Sequence, residues 1–290
     1  MIELAPHHKR GLSLANPVMN ASGLLGFADE YRGLIDFSRL GAFVTNALTA
    51  RPRTPAHPPN AIPLPNGVLI HTGLPNPGVR AAIRQYDREW QRLGPPVIVH
   101  LAATTPEDVR RSVEHLDLAE GVSGVELGLR DDVSVEEMEH VIRAALGGPP
   151  VIVRLPLLRA AELCAAAALA GADALTVGAP LRASASPPGP LSRSQSARPG
   201  EGESKDDGDG QKSKGRFYGP EVFPMALEAV RAVVGAMPAS SLPIIGAGGI
   251  FSEENARAIL SAGAAAVQVD AAVWVDPGII ARMASALLEG

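Results

Sequence analysis

Leu40-Gly41-Ala42-Phe43-Val44, Gly121-Val122-Ser123-Gly124-Val125-Glu126-Leu127, Gly171-Ala172-Asp173-Ala174-Leu175-Thr176-Val177 and Gly263-Ala264-Ala265-Ala266-Val267-Gln268-Val269 repeat one phrase along the chain. Each is a small-residue turn leading into a short apolar strand. A second phrase, proline followed by strand, lies between them as Pro96-Val97-Ile98-Val99, Pro150-Val151-Ile152-Val153 and Pro243-Ile244-Ile245. The opening run Asn16-Pro17-Val18-Met19-Asn20-Ala21 supplies an eighth strand. Strands that are apolar throughout are covered on both faces. Eight of them, mostly spaced by helical stretches, specify an α/β chain folded as a (β/α)8 TIM barrel, which puts its chemistry at the C-terminal ends of the strands.

The bounds agree. At 290 residues the chain can form one barrel domain. Its 46% apolar content and net charge of -5 do not suggest a nucleic-acid binder or a membrane-surface protein. No apolar run is long enough to span a bilayer. Met1 to Arg10 lacks the apolar core of a signal peptide. The single cysteine, Cys164, excludes an intrachain disulfide and fits a reducing cytoplasm. It sits in a helical run as an inert small hydrophobe.

Thr105 before Pro106 reads as a helix N-cap, and Ser252-Glu253-Glu254 opens another helix with acids in its first turn. Pro277 to Leu288 reads as the closing helix. Two segments break the rhythm. Arg51 to Gly78 is proline-rich and reads as an excursion over the barrel mouth. Ala183 to Arg216 is rich in Ser, Pro, Gly and charge, and cannot bury enough surface to offset its ordering entropy. It is expected to be a disordered insert after the sixth strand, dividing the barrel sequence into 1–182 and 217–290. Without apolar anchors it should form no lid, leaving the mouth open.

The strand ends carry a family pattern. Asn16 to Gly23 with Phe27, Glu30 and Tyr31 form its first part; Leu48-Thr49-Ala50-Arg51-Pro52-Arg53 and Gly73-Leu74-Pro75-Asn76-Pro77-Gly78 follow; Gly219-Pro220 and Gly248-Gly249-Ile250 lie in the last third. In combination these resemble the dihydroorotate dehydrogenases, over nearly the whole chain except the insert. The resemblance implies an FMN-carrying barrel that oxidises dihydroorotate to orotate in pyrimidine synthesis. It implies cofactor contacts from Ala21, Ser22, Asn46, His100, Arg154, Gly219, Gly248 and Gly249, and substrate contacts from Asn76 and His71. Asp131 stands at the family's base position. The implied partners are a small-molecule substrate, and either a second copy of the chain or a separate electron-transfer subunit, since one cysteine builds no iron–sulfur set.

Several polar positions of the pattern are replaced. Asn46 stands where the family has a flavin-contacting Lys, and Ile70 where it has a substrate Asn. Glu126-Leu127-Gly128-Leu129-Arg130-Asp131 lacks both the family's Asn residues and its Cys or Ser base. Arg154 replaces a Lys, Ala179 an Asn, and Asp270-Ala271 the phosphate-gripping Gly-Thr. Weak FMN binding is therefore expected, because a carboxylate at Asp270 repels phosphate.

The residues themselves leave alternatives open. Arg154 serves a flavin or pairs inside the barrel with Asp131 or Glu126. Arg130-Asp131-Asp132 holds a base or caps the next helix. Gly248-Gly249 shapes a turn, and the helix start near Ser252 offers an anion site. The whole chain reads as a flavin oxidoreductase, as a family member persisting as a binding or scaffold protein, or as a phosphate-binding barrel with non-redox chemistry.

Overall fold

In the computed structural model, which describes residues 1–178, 180–185, 213–238 and 242–288, the chain begins with a short antiparallel pair, β1 (Ile2–Glu3) and β2 (Ser13–Leu14). The barrel strands are β3 (Val18–Asn20), β4 (Phe43–Val44), β7 (Val97–Ala102), β8 (Gly124–Gly128), β9 (Val151–Leu155), β10 (Ala174–Val177), β13 (Ile244–Ala247) and β14 (Ala266–Val269). They form one parallel sheet in the order β3-β14-β13-β10-β9-β8-β7-β4. The intervening strands β5 (Ala61–Leu64), β6 (Gly67–Ile70), β11 (Leu181–Ala185) and β12 (Ser213–Tyr218) build a second sheet.

The remaining junction, between β3 and β4, is closed by a side chain. The Asn20 amide imitates a peptide group: Val44 N–H donates to its Oδ1 at 3.0 Å and its Nδ2 donates to Val44 O at 2.7 Å. Gly41 N donates to Val18 O beside it at 2.7 Å.

Helices α1 (Val79–Trp90), α2 (Pro106–Leu116), α3 (Val135–Ala145), α4 (Ala160–Leu169), α5 (Phe223–Ala236), α6 (Glu253–Ser261), α7 (Ala272–Val275) and α8 (Ile279–Leu288) follow the strands. Thr105 and Ser252 cap α2 and α6 through side-chain oxygens that accept Asp108 N–H and Asn255 N–H. Cys164 is buried in α4. No helix among the described residues is long and apolar enough to cross a membrane.

The barrel has two kinds of core. Val99, Val125, Val153, Leu175 and Val267 pack against the helices, whereas Met19, Val44, Ile98, Ile152, Ala174, Ile245 and Ala266 join Leu4, Leu12 and Leu14 in a separate cluster. Side chains alternate along a strand, so the second set faces inward and the N-terminal β1–β2 pair plugs that end. Two residues further along five strands the inward position turns polar: His100, Glu126, Arg154, Thr176 and Gln268, all buried. Depth along the barrel axis thus changes from oily to charged within one repeat of the strand.

The mouth differs from expectation. Arg51–Gly78 contains the β5–β6 hairpin, to which β12 and then β11 add in antiparallel register. Ala183–Ala185 and Ser213–Arg216 are therefore strand, which corrects the limits of the insert; residues 186–212 lie outside the described residues. Apolar anchors lie just outside the polar run: Leu181 and Phe217 pack against Leu157, Val222 and Ala226. The ladder to β6 satisfies the backbone that composition alone would have left to water.

Candidate active site

Glu126 is the centre of the inward polar layer. It is fully buried on β8, and its Oε1 accepts from Thr176 Oγ1 at 2.8 Å and from Gln268 Nε2 at 2.7 Å. Its Oε2 meets His100 Nδ1 at 2.6 Å and lies 3.7 Å from Arg154 Nη1. Burial alone would raise its pKa. Arg154, His100 and Thr176 outweigh it and bring the carboxyl down to about 2, so Glu126 is an anion across the working pH range. Arg154 also donates to Gln268 Oε1, and through Nη2 to Gly178 O at 2.7 Å. Of the two interior partners read for Arg154, the structure brings it to Glu126.

His100 is held from two sides. Its backbone N–H donates to Thr45 Oγ1 at 3.1 Å, and its Nδ1 faces the Glu126 carboxylate. An ionised carboxylate there fixes the proton on Nδ1 and turns Nε2 into the acceptor. A Cβ on Gly128 would lie 2.4 Å from His100 Nε2. The glycine on β8 thus makes room for the imidazole tip at the strand end. The pairing of His100 with Glu126 was missed at the sequence level. Its signal was available: the two residues each stand two past an inward small or apolar position, on neighbouring strands.

Asp270, after β14, is 4% exposed. Its Oδ2 accepts Gly249 N–H at 3.3 Å, while Oδ1 is buried without a partner among the described residues. Burial raises its pKa to about 6, against the lowering effects of the Gly249 N–H and the Arg154 charge. The backbone N–H that a phosphate would seek is therefore taken by the chain's own carboxylate. Gly249 itself has φ +66°, and a Cβ there would lie 2.4 Å from Phe223 N; the turn requires glycine whatever it binds. Gly248 precedes it at φ +108°, and Gly219 packs against Asn66 O in the β5–β6 turn. At the α6 start, Ser252 Oγ already accepts the first-turn N–H of Asn255, and Asn255 Oδ1 accepts Phe251 N–H just before the helix.

The other candidates fall in several places. Ala21 and Asn46 lie just past β3 and β4, and Asn46 Oδ1 is a buried acceptor with no donor among the described residues. Ser22 follows Ala21, half-buried. Asn76 is corrected as a substrate contact. Its Oδ1 accepts Thr49 N–H and Gly78 N–H, and its Nδ2 donates to Leu74 O and Thr49 Oγ1; the amide ties the loop together and has nothing left for a ligand. Asp131, read as the base, has its carboxylate held by Arg182 Nε at 2.8 Å and Arg216 Nη1 at 2.9 Å. His71 is exposed and lines a cavity of about 640 Å³ between the mouth sheet and residues 71–74.

A parallel eight-stranded barrel with its ionisable side chains gathered at the C-terminal strand ends defines an enzyme-type (β/α)8 architecture. The Dihydroorotate dehydrogenase family matches residues 7–129 and 203–289. The chain is 34% identical over 291 residues to the "Dihydroorotate dehydrogenase B (NAD(+)), catalytic subunit" of Desulforudis audaxviator, spanning 96% of this chain and 89% of that one. It is 31% identical to the protein of the same description from Geotalea daltonii, over 96% and 90% of the two chains. A crystal structure of DHODH from Eimeria tenella in complex with ferulenol superposes with a TM-score of 0.71 at 16% identity, covering 99% of this chain and 86% of that one. The chain belongs to the dihydroorotate dehydrogenase family.

Proposed function

We propose that this chain is a dihydroorotate dehydrogenase-like oxidoreductase of pyrimidine metabolism, acting on dihydroorotate or a related cyclic carboxylate, with the Glu126–His100 pair as its proton acceptor. The carrying observation is the 2.6 Å contact between Glu126 Oε2 and His100 Nδ1, which joins β8 to β7 inside the barrel. Family membership supports the reaction. The geometry supports a base in a new position, on β7, in place of the missing Cys or Ser.

The residues present suit a flavin at one end only. The ring end fits: Asn46 Oδ1 is a buried acceptor awaiting an N–H, and Arg154 is a buried cation at the same strand ends. The phosphate end does not fit, because Asp270 already holds Gly249 N–H. FMN, when bound, would take up the hydride. The protein's own part is to accept the substrate proton at His100 Nε2, while Glu126 stabilises the imidazolium and Arg154 keeps Glu126 ionised. As the relatives are described as catalytic subunits, an electron-transfer subunit is the partner this reading calls for.

Anaerobic mixing with dihydroorotate and excess FMN tests it by absorbance of the oxidised flavin. Wild-type protein should bleach the flavin. His100→Gln should slow bleaching by about 10²-fold, the usual scale for losing a general base, whereas Asp131→Asn should leave the rate within about threefold. No bleaching by the wild type would refute the oxidoreductase reading for this substrate. The second reading, a family member retained for binding or scaffolding, is favoured by Asp270 alone, and that result would leave it standing.

A further inference from the structure

The loops after the seventh and eighth strands of a (β/α)8 barrel frequently build a phosphate site; here they follow β13 and β14. In this chain their backbone donors are occupied by its own side chains. Gly249 N–H, after β13, donates to Asp270 Oδ2 at 3.3 Å. Phe251 N–H donates to Asn255 Oδ1 at 3.1 Å, and Asn255 N–H to Ser252 Oγ at 3.2 Å. The charge there is negative as well: Asp270 is buried, and Glu253 and Glu254 stand in the first turn of α6. Arg154 is a cation within Coulombic reach of Asp270, yet its guanidinium is committed to Gln268, Gly178 and Glu126. What the mouth lacks is a donor. Asp270 Oδ1 is buried without a partner among the described residues, and so is Asn46 Oδ1. Acceptors left unmade in a buried place are costly. Their strands flank β3 on either side, β14 through its ladder and β4 through the Asn20 amide. The two acceptors therefore stand two strand spacings apart around the mouth, about 10 Å.

We propose that the flavin this mouth takes is an unphosphorylated one, its ring N–H meeting Asn46 Oδ1 and a hydroxyl of its side chain donating to Asp270 Oδ1, with Asp270 as the residue that turns a phosphorylated flavin away. The proposal rests on the oxidoreductase reading for the choice of a flavin ring. The span between the two acceptors suits a ring N–H at one end and the far hydroxyls of a five-carbon polyol at the other. A hydroxyl is a donor, so it satisfies the orphan oxygen, and a bond to a carboxylate is stronger than one between neutral groups. A phosphate brings acceptor oxygens and a charge of about -1.5 to -2 at neutral pH. It would face a carboxylate where screening is weak, with the N–H groups it would use already taken. The surroundings keep that end dry. Tyr218 and Trp274 pack with ring centroids 5.5 Å apart, and burial, then the Asp270 charge, push the Tyr218 pKa up. The Asp270 carboxylate thus stands beside an aromatic wall.

Fluorescence titration of the full chain, stripped of any flavin, with lumiflavin, riboflavin and FMN at pH 8 tests the proposal without substrate or turnover. Riboflavin should bind at least about tenfold more tightly than FMN. It should also bind at least about fivefold more tightly than lumiflavin, which has the ring without the polyol. Asp270→Asn keeps the shape and removes the charge, and should bring riboflavin and FMN within about threefold of each other. Asp270→Gly also frees Gly249 N–H, and should make FMN the tighter ligand. A melting temperature of Asp270→Asn no lower than wild type shows that the fold is kept. FMN binding as tightly as riboflavin to the wild type, riboflavin binding no more tightly than lumiflavin, a preference unchanged in both variants, or no flavin binding up to the solubility limit overturns the proposal. A chain that prefers riboflavin but passes it no hydride from dihydroorotate loses the oxidoreductase reading and keeps this one; a chain that bleaches FMN and binds it more tightly than riboflavin does the reverse.

Discussion

The strand-end layer and the mouth sheet both concentrate charge, and they treat it in opposite ways. In the polar layer inside the barrel the charges are matched: Glu126 meets His100, Arg154, Thr176 and Gln268 within hydrogen-bonding or ion-pair range. On the mouth sheet, among the described residues, cations outnumber the carboxylate that joins them. The difference follows from solvent. A buried ion with no partner costs several kcal/mol, so the interior must balance, whereas a charge at a cavity rim keeps part of its hydration and needs fewer partners. Asp270 is the interior's exception, with one oxygen on Gly249 N–H and one unpartnered. A charge the fold leaves unmatched in a dry place marks where this chain has moved away from the family pattern.

The comparison can be broken most forcefully at Glu126. Glu126→Gln keeps the shape and removes the anion, leaving Arg154 buried beside a neutral amide. Breaking one side of a buried pair costs about 3–5 kcal/mol; chemical denaturation should show that loss, and a loss below about 1 kcal/mol would mean the interior network is not what holds the charges.

Asp270 gives the next effect, with a sign that depends on pH. Its folded pKa, about 6, lies above the ordinary 3.8. The native state therefore holds the proton more tightly than the unfolded chain, and the associated stability is complete below about pH 4 and lost as pH rises through about 6. Asp270→Asn should nearly match the wild type at about pH 4 and below, and exceed it by about 3 kcal/mol at pH 8. The same substitution should tighten FMN in a fluorescence titration at pH 8, because the repelling charge is gone. Equal melting curves at both pH values would show that Asp270 is not charged in a dry site.

The smallest effect is expected at the mouth. Ala185 and Ser213 are paired at the end of β11 and β12, so a short Asn-Gly turn can join the two strands in place of residues 186–212. Loop-closure entropy changes slowly with length, and the melting temperature should stay within about 3 °C of wild type. A large fall would show that the mouth sheet depends on more than its own ladder and its anchors Leu181 and Phe217.

Several parts of this molecule were legible in order of residues alone. The recurring Gly-Ala and Pro-Val-Ile phrases, with the Asn16–Ala21 run, located all eight barrel strands, because a parallel strand buried on both faces is mostly apolar and is entered here by a small-residue or proline turn. Thr105 and Ser252 announced their helices, because capping is decided within one turn of backbone. The insert's limits were misjudged by a few residues at each end. Composition reads Ala183–Ala185 and Ser213–Arg216 as too polar to fold, and only their pairing with each other and the docking of β12 on β6 supply the hydrogen bonds that make them fold.

What the tertiary structure decided is which charges meet. The order of residues left Arg154 between Asp131 and Glu126; the inward alternation of β8 and β9 brought it to Glu126. It offered Asp131 as a base; Arg182 and Arg216, far along the chain, arrive through the mouth sheet and hold that carboxylate. It offered Asn76 to a substrate; Thr49, Leu74 and Gly78 close around the amide instead. Secondary structure is governed by neighbours in sequence and by burial pattern, which a sequence records directly. The protonation and availability of a side chain depend on groups brought within a few ångströms by folding, and a sequence records those only as separated letters.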